Sequence, residues 1–135
     1  MSEQTYPPVS PYLMVRGAAE AIAWYRKAFD AVETERYDHE GRVGHSTLRI
    51  NGGAVMLSDE YPEYQDKVGT QSPAQLGGTT TTITLSVDDV DAWFDRATAA
   101  GASTLRAPQD EFYGRHAKLR DPFGHVWSLV GPAKG

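Results

Sequence analysis

The stretch 119–128, LRDPFGHVWS, lies without a gap over 48–57, LRINGGAVML, at an offset of 71 residues. Leu48 and Leu119, Arg49 and Arg120, Gly53 and Gly124, and Val55 and Val126 coincide. In each copy two strand-like runs flank a turn. Asn51-Gly52 is a strong hairpin signal. In Asp121-Pro122-Phe123-Gly124, proline fixes φ, aspartate accepts hydrogen bonds from the turn, and glycine permits positive φ. Working outward, AAEAIAWYRKAFD at 18–30 and DDVDAWFDRATAA at 88–100 read as helices. Ala18, Ala21, Ile22, Tyr25, Ala28 and Phe29 recur at helical spacing. Trp24-Tyr25 corresponds to Trp93-Phe94, at an offset of 69. Asp88 or Asp89 is expected to cap the second helix, which ends at Gly101.

Strands are expected at 9–15, 32–37, 43–50 and 54–58, and again at 79–87, 103–107, 115–120 and 125–130. The order is strand, helix, three strands, twice. Agreement of turn, helix and strand order at nearly one offset reads as a duplicated module. The expected organisation is a loose tail at 1–8, a first βαβββ module at 9–59, a linker or flap at 60–78, and a second module at 79–131. The fold class is α+β, with paired βαβββ modules forming a curved mixed sheet. Each sheet buries one face against a helix, which leaves the other to line a U-shaped cavity, helices outside.

Strand parity assigns the lining. Ile83, Leu85 and Val87 should face the helix, and Thr80, Thr82, Thr84 and Ser86 the groove. Leu48 and Ile50 point to the helix; His45, Thr47 and Arg49 point inward. Ala117 and Leu119 face out; His116, Lys118 and Arg120 face in. Ser10, Tyr12 and Met14 are expected inward, as are Val55, Leu57, Asp59, Val126 and Ser128.

Composition narrows the function. A net charge of −5 argues against nucleic acid, whose phosphates call for a basic surface. With no cysteine, disulfides, thiolate metal sites and cysteine nucleophiles are excluded. No apolar run is long enough to span a membrane. The start, MSEQTYPP, lacks the pattern of a signal peptide, so a cytoplasmic protein is expected. No phosphate loop, dinucleotide fingerprint or Ser-His-Asp order is present.

At this point the chain resembles the vicinal oxygen chelate superfamily, which includes glyoxalase I, bleomycin-resistance proteins and extradiol dioxygenases. GRHAKLRDPFGHVWSLV at 114–130 looks like its closing hairpin. VRGAAEAIAWYRKAF and GHSTLRINGGAVMLSDE look like the first module, especially in the PhnB-like branch. The resemblance covers 9–130. It implies the paired-module fold, a homodimer, and in the metalloenzymes four ligands from the first and last strand of each module. Those positions here are Ser10, Leu57, Thr82 and Ser128. Hydroxyls and a leucine do not make a divalent-ion site, which wants imidazole or carboxylate donors. No metal and no other cofactor is therefore expected. A slip of one or two residues would bring in His45, Asp59, Glu60, His116 or His125.

His45 and His116 face the groove, one from each module, as candidate ligand-binding or acid–base residues. His125, after Gly124, braces the hairpin. Tyr61, Tyr64, Phe112 and Tyr113 fall in irregular segments, free to stack on a flat ligand or to pack at a dimer interface. Two functions follow. The favoured one is a small-molecule binder of the bleomycin-resistance type that sequesters an aromatic or cationic compound. Its lining would be Tyr12, Met14, Thr82, Thr84, Phe112 and Tyr113, with Asp59 or Glu60 as counter-charge. His45, Thr47, Leu57, His116, Lys118 and Ser128 complete the groove. The alternative is a metal-dependent glyoxalase- or dioxygenase-like enzyme with a shifted site near His45 and His116.

Overall fold

Alternation and turn chemistry build the same unit twice in the computed structural model, which describes residues 6–135. Residues 1–5 of the expected tail lie outside the described residues. The first module runs β1 (Tyr12–Val15), α1 (Ala18–Phe29), β2 (Val32–His39), β3 (Arg42–Ile50) and β4 (Gly53–Asp59). The second runs β5 (Thr82–Ser86), α4 (Val90–Ala99), β6 (Ser103–Glu111), β7 (Gly114–Arg120) and β8 (Val126–Gly131). The two mixed sheets have equivalent orders, β1-β4-β3-β2 and β5-β8-β7-β6, with the first strand parallel to the last in each. β1 starts later than expected, at Tyr12. Pro11 lacks an N–H and only its carbonyl joins the sheet, accepting from Met56 N.

Both sheets turn their apolar faces to one core. Leu48, Leu57, Leu119 and Leu129 are fully buried there. The modules meet through their helices, α1 on α4. Trp24 Nε1 donates to the Ala100 carbonyl at 2.8 Å, and the Phe29 and Trp127 rings lie 4.8 Å apart. The groove faces therefore look away from this shared layer. His125 does brace, but across the modules: its Nε2 is 2.9 Å from the Met14 carbonyl oxygen.

Asp121 is the most connected polar group in the core. Its Oδ1 accepts from the amides of Phe123 and His125. Its Oδ2 accepts from Trp127 Nε1 and from the Tyr25 hydroxyl of the other module. Burial first, and then the facing carboxylate, push the Tyr25 hydroxyl well above the usual phenol range, so it stays a donor.

The parity expected for β4 is wrong. Leu57 pairs with Leu13 and with Ser46, and Val55 with Leu48, so Val55, Leu57 and Asp59 lie on the helix side. Met56 and Ser58, paired with Tyr12 and Met14, take the groove side. The cause is turn length. Ile50 pairs with Gly53 across two residues, whereas Asp121 bonds His125 across three. The gapless match of the hairpins thus slips by one after the turn, and one residue flips every side chain of a strand. Asp59 is structural. It accepts from the amides of Gly17, Ala18 and Val43, capping a helix whose own N-cap is a glycine. Asp89 caps α4 from its own side chain, as expected.

The connector 60–78 holds short helical pieces that periodicity could not reveal: a 3₁₀ turn at Pro62–Tyr64, α2 (Gln65–Val68) and α3 (Pro73–Leu76). Ser72 and Gln75 form a capping box on α3. α3 rests directly on the Asp121–Gly124 turn. Gly124 has φ 97, and a Cβ there would come within 2.5 Å of Pro73 Cβ.

Asp121→Ala leaves the Trp127 N–H and the Tyr25 hydroxyl unpaired in the core. It is expected to cost about 3–5 kcal/mol in urea denaturation. A variant within the error of wild type would show that Asp121 does not hold the modules together.

Candidate functional site

Each groove face carries a histidine held between a tyrosine and a smaller hydroxyl. On the first, Tyr12 Oη lies 2.9 Å from His45 Nδ1. His45 Nε2 lies 2.9 Å from Thr47 Oγ1, and Thr47 Oγ1 donates to Glu35 Oε1 at 3.1 Å. Glu35 also sits 3.4 Å from His45 Nε2. Hydrogen bonds, from the Tyr6 hydroxyl foremost and then from Thr47 and His45, hold the Glu35 carboxyl below the usual carboxylate range. Met14 joins this face, its sulfur accepting from the Ser58 hydroxyl.

On the second face Tyr113 Oη lies 2.8 Å from His116 Nδ1, and His116 Nε2 lies 3.1 Å from Ser128 Oγ. Thr82 and Thr84 stand beside Val126 and Ser128, and Lys118 pairs with Ser128 from β7. Among the described residues no carboxylate is hydrogen-bonded to the Ser128 hydroxyl. Burial first, then the charges of Arg106 and Lys118, depress the His116 imidazole below its ordinary value of 6.5.

His45 and His116 are not brought together. Their bonding partners lie in their own modules, and among the described residues no hydrogen bond or ring contact joins the two clusters. Other candidates fall elsewhere. Leu57 is in the core and Asp59 caps α1. Glu60 pairs with Arg16. Phe112 projects fully exposed from the β6–β7 turn and meets only the Tyr113 ring among aromatics.

Two clefts flank the Tyr12–His45 pair. One, of about 430 Å³, is lined by Tyr37, Asp38, His39, His45, Tyr61 and Tyr64. The other, of about 550 Å³, lies between β1 and the start of β5 and includes Tyr12, Met14 and Thr79–Thr81. Neither is lined by residues of the His116 cluster. Sequence reasoning missed Glu35, Tyr37 and His39. They lie on β2, VETERYDH, where nearly every residue is polar and two register shifts break the alternation. The corrected register places Met56, not Leu57, opposite Ser128 in the module repeat. Ser10, Met56, Thr82 and Ser128 offer hydroxyls and a thioether, which do not fit a divalent ion. Among the described residues no group of three His, Asp or Glu side chains is arranged to hold one.

The geometry can be set against known proteins. Residues 8–129 match the sequence profile of the Glyoxalase/Bleomycin resistance protein/Dioxygenase superfamily. The chain belongs to this superfamily. An uncharacterised protein of Mycobacterium bovis is 46% identical over 99% of this chain and 89% of its own length. Among solved structures of the superfamily's fold, TioX from Micromonospora sp. ML1 is similar with a TM-score of 0.72 and 30% identity, covering 95% of this chain and 98% of that one. The fosfomycin resistance protein FosX from Mesorhizobium loti shares the fold alone, at TM-score 0.65 and 17% identity over 94% and 92% of the two chains. Among the described residues no helix is long and apolar enough to cross a membrane.

The depressed His116 gives a pH signature. As pH falls through 6.5 the unfolded chain takes up this proton before the native one does, so the group weakens the fold between 6.5 and its lower native midpoint. A proton NMR titration of native protein is expected to place the His116 midpoint below 6.5, and Lys118→Met to raise it. A native midpoint at or above that value counts against the assigned environment.

Proposed function

We propose that this protein is a small-molecule-binding member of the superfamily that sequesters a flat, cationic aromatic compound against its first groove face, without a metal. The observation that carries this is the cleft of about 430 Å³ beside His45, with the rings of Tyr37, Tyr61 and Tyr64 and the carboxylate of Asp38 on its walls. Aromatic faces attract cations, and a pocket of this size suits a drug-sized ligand. Glu35 supplies the negative charge on this face; Asp38 stands at the cleft wall paired with Arg36, and Asp59 and Glu60 are engaged elsewhere.

Proflavine, a flat aromatic cation, tests this against 9-anthracenecarboxylate, a flat anion. Proflavine is expected to bind saturably and to raise the melting temperature. Tyr37→Ala should weaken it roughly tenfold, the scale of one lost cation–π or stacking contact. Preference for the anion, or no saturable binding of either, would sink the reading.

The functional unit in this reading is a homodimer. Both groove faces lie on the outside of one chain's core, and a second copy would cover them. Sedimentation equilibrium is expected to return twice the chain mass. A monomer at the highest soluble concentration would remove the dimer from the proposal.

A further inference from the structure

The cleft of about 550 Å³ shares no lining residue with the cleft beside His45, and its chemistry is different. Three segments wall it: β1 of the first module, the connector with α3, and the residues that lead into β5. Leu13, Met14, Leu76 and Ile83 give it an apolar lining, and the run Thr79, Thr80 and Thr81 adds neutral hydroxyls. Among the described residues no Asp, Glu, Lys or Arg lines it. One polar group in the wall is buried and only half used. His125 is 8% exposed. Its Nε2 lies 2.9 Å from the Met14 carbonyl oxygen, which can only accept, so Nε2 carries the proton of the neutral ring. Nδ1 is then a bare acceptor, and among the described residues nothing donates to it. Nor is it sealed off: the buried side-chain polar atom that is both sealed and unpaired is Glu60 Oε2. Nδ1 therefore keeps an opening, and His125 lines this cleft. A buried acceptor of this kind calls for a donor.

We infer that this cleft is a second ligand site, for a neutral, largely apolar molecule that presents one N–H or O–H donor to His125 Nδ1. Its volume is that of a small-molecule pocket, an apolar wall with a single convergent polar group. A charged ligand meets no counter-charge there, and stripping its water would cost more than the apolar contacts return. This site stands apart from the aromatic-cation cleft, with other walls and a ligand of another class. Its walls come from both modules and from the connector, and the His125–Met14 bond at its edge already crosses the modules. An occupant would hold the same three segments together and would stabilise the fold in proportion to its occupancy.

Three probes separate the outcomes. Indole and 1-methylindole are both neutral and flat and differ in one N–H; indole-3-acetate keeps the N–H and adds a charge. At about pH 8, where ordinary imidazoles are neutral, indole is expected to shift the Met14 and Ile83 methyl signals saturably in an NMR titration. It should bind about tenfold more tightly than 1-methylindole, the scale of one buried acceptor left unpaired, and more tightly than indole-3-acetate. Long-range ¹H–¹⁵N spectra should show His125 protonated at Nε2, with the Nδ1 signal moved by indole and not by 1-methylindole. These readouts use the wild-type protein and need no variant to fold. Leu76→Asp, at a position 61% exposed on α3, should weaken indole by putting a charge on the apolar wall. Equal binding of indole and 1-methylindole, preference for indole-3-acetate, a proton on Nδ1, or no saturable shift at Met14 and Ile83 overturns the inference. Each of these leaves the aromatic-cation reading in place, because proflavine binding at the other cleft is measured separately.

Discussion

One buried carboxylate decides how the two halves of this protein sit. Asp121 collects donors from its own turn, from Trp127 on β8 and from Tyr25 on the helix of the other module. A carboxylate taken out of water must be fully hydrogen-bonded, and here the required donors come from both repeats. The same contact seats α1 against the apolar face of the second sheet, where Phe29 meets Trp127. With the helices gathered between the modules, the opposite sheet faces are left as the surfaces on which chemistry can be built.

The duplication was legible because it rests on signals that survive without tertiary context. Ile83, Leu85 and Val87 alternate with hydroxyls, and their observed burial follows that alternation, Ile83 only partly buried. α1 and α4 repeat an aromatic pair at the same place in the apolar stripe. β4 was misread because a turn one residue longer in the second hairpin is invisible in a gapless match, yet it reverses which side chains face the core. β2 was located as a strand, but its facing was not assigned, for a different reason. A strand of VETERYDH carries no apolar period, and its register shifts mean that only the pairing with β3 says which way Glu35 and Tyr37 point.

The candidate site was legible in part. His45 and His116 occupy equivalent strand positions and take equivalent partners, a tyrosine on one ring nitrogen and a hydroxyl on the other. The tyrosines arrive from unrelated places, Tyr12 from β1 and Tyr113 from the β6–β7 turn, so no repeat in the sequence announces the pairing. The electrostatic settings have also diverged. One chain ends on Glu35, and the other stands among Arg106 and Lys118. A duplicated framework has become two surfaces of different electrostatic character.

The contact between Pro73 and Gly124 bears on how two copies could associate. The connector between the modules is pinned at one end by Tyr61, whose hydroxyl bonds the His39 carbonyl, and at the other by α3 lying on the Asp121–Gly124 turn. It is a strap fastened twice, not a loose tether. Together with the Tyr25–Asp121 and Trp24–Ala100 bonds, it ties the two halves of the chain to each other at four places. Any exchange of a half between two copies would have to undo all four fastenings.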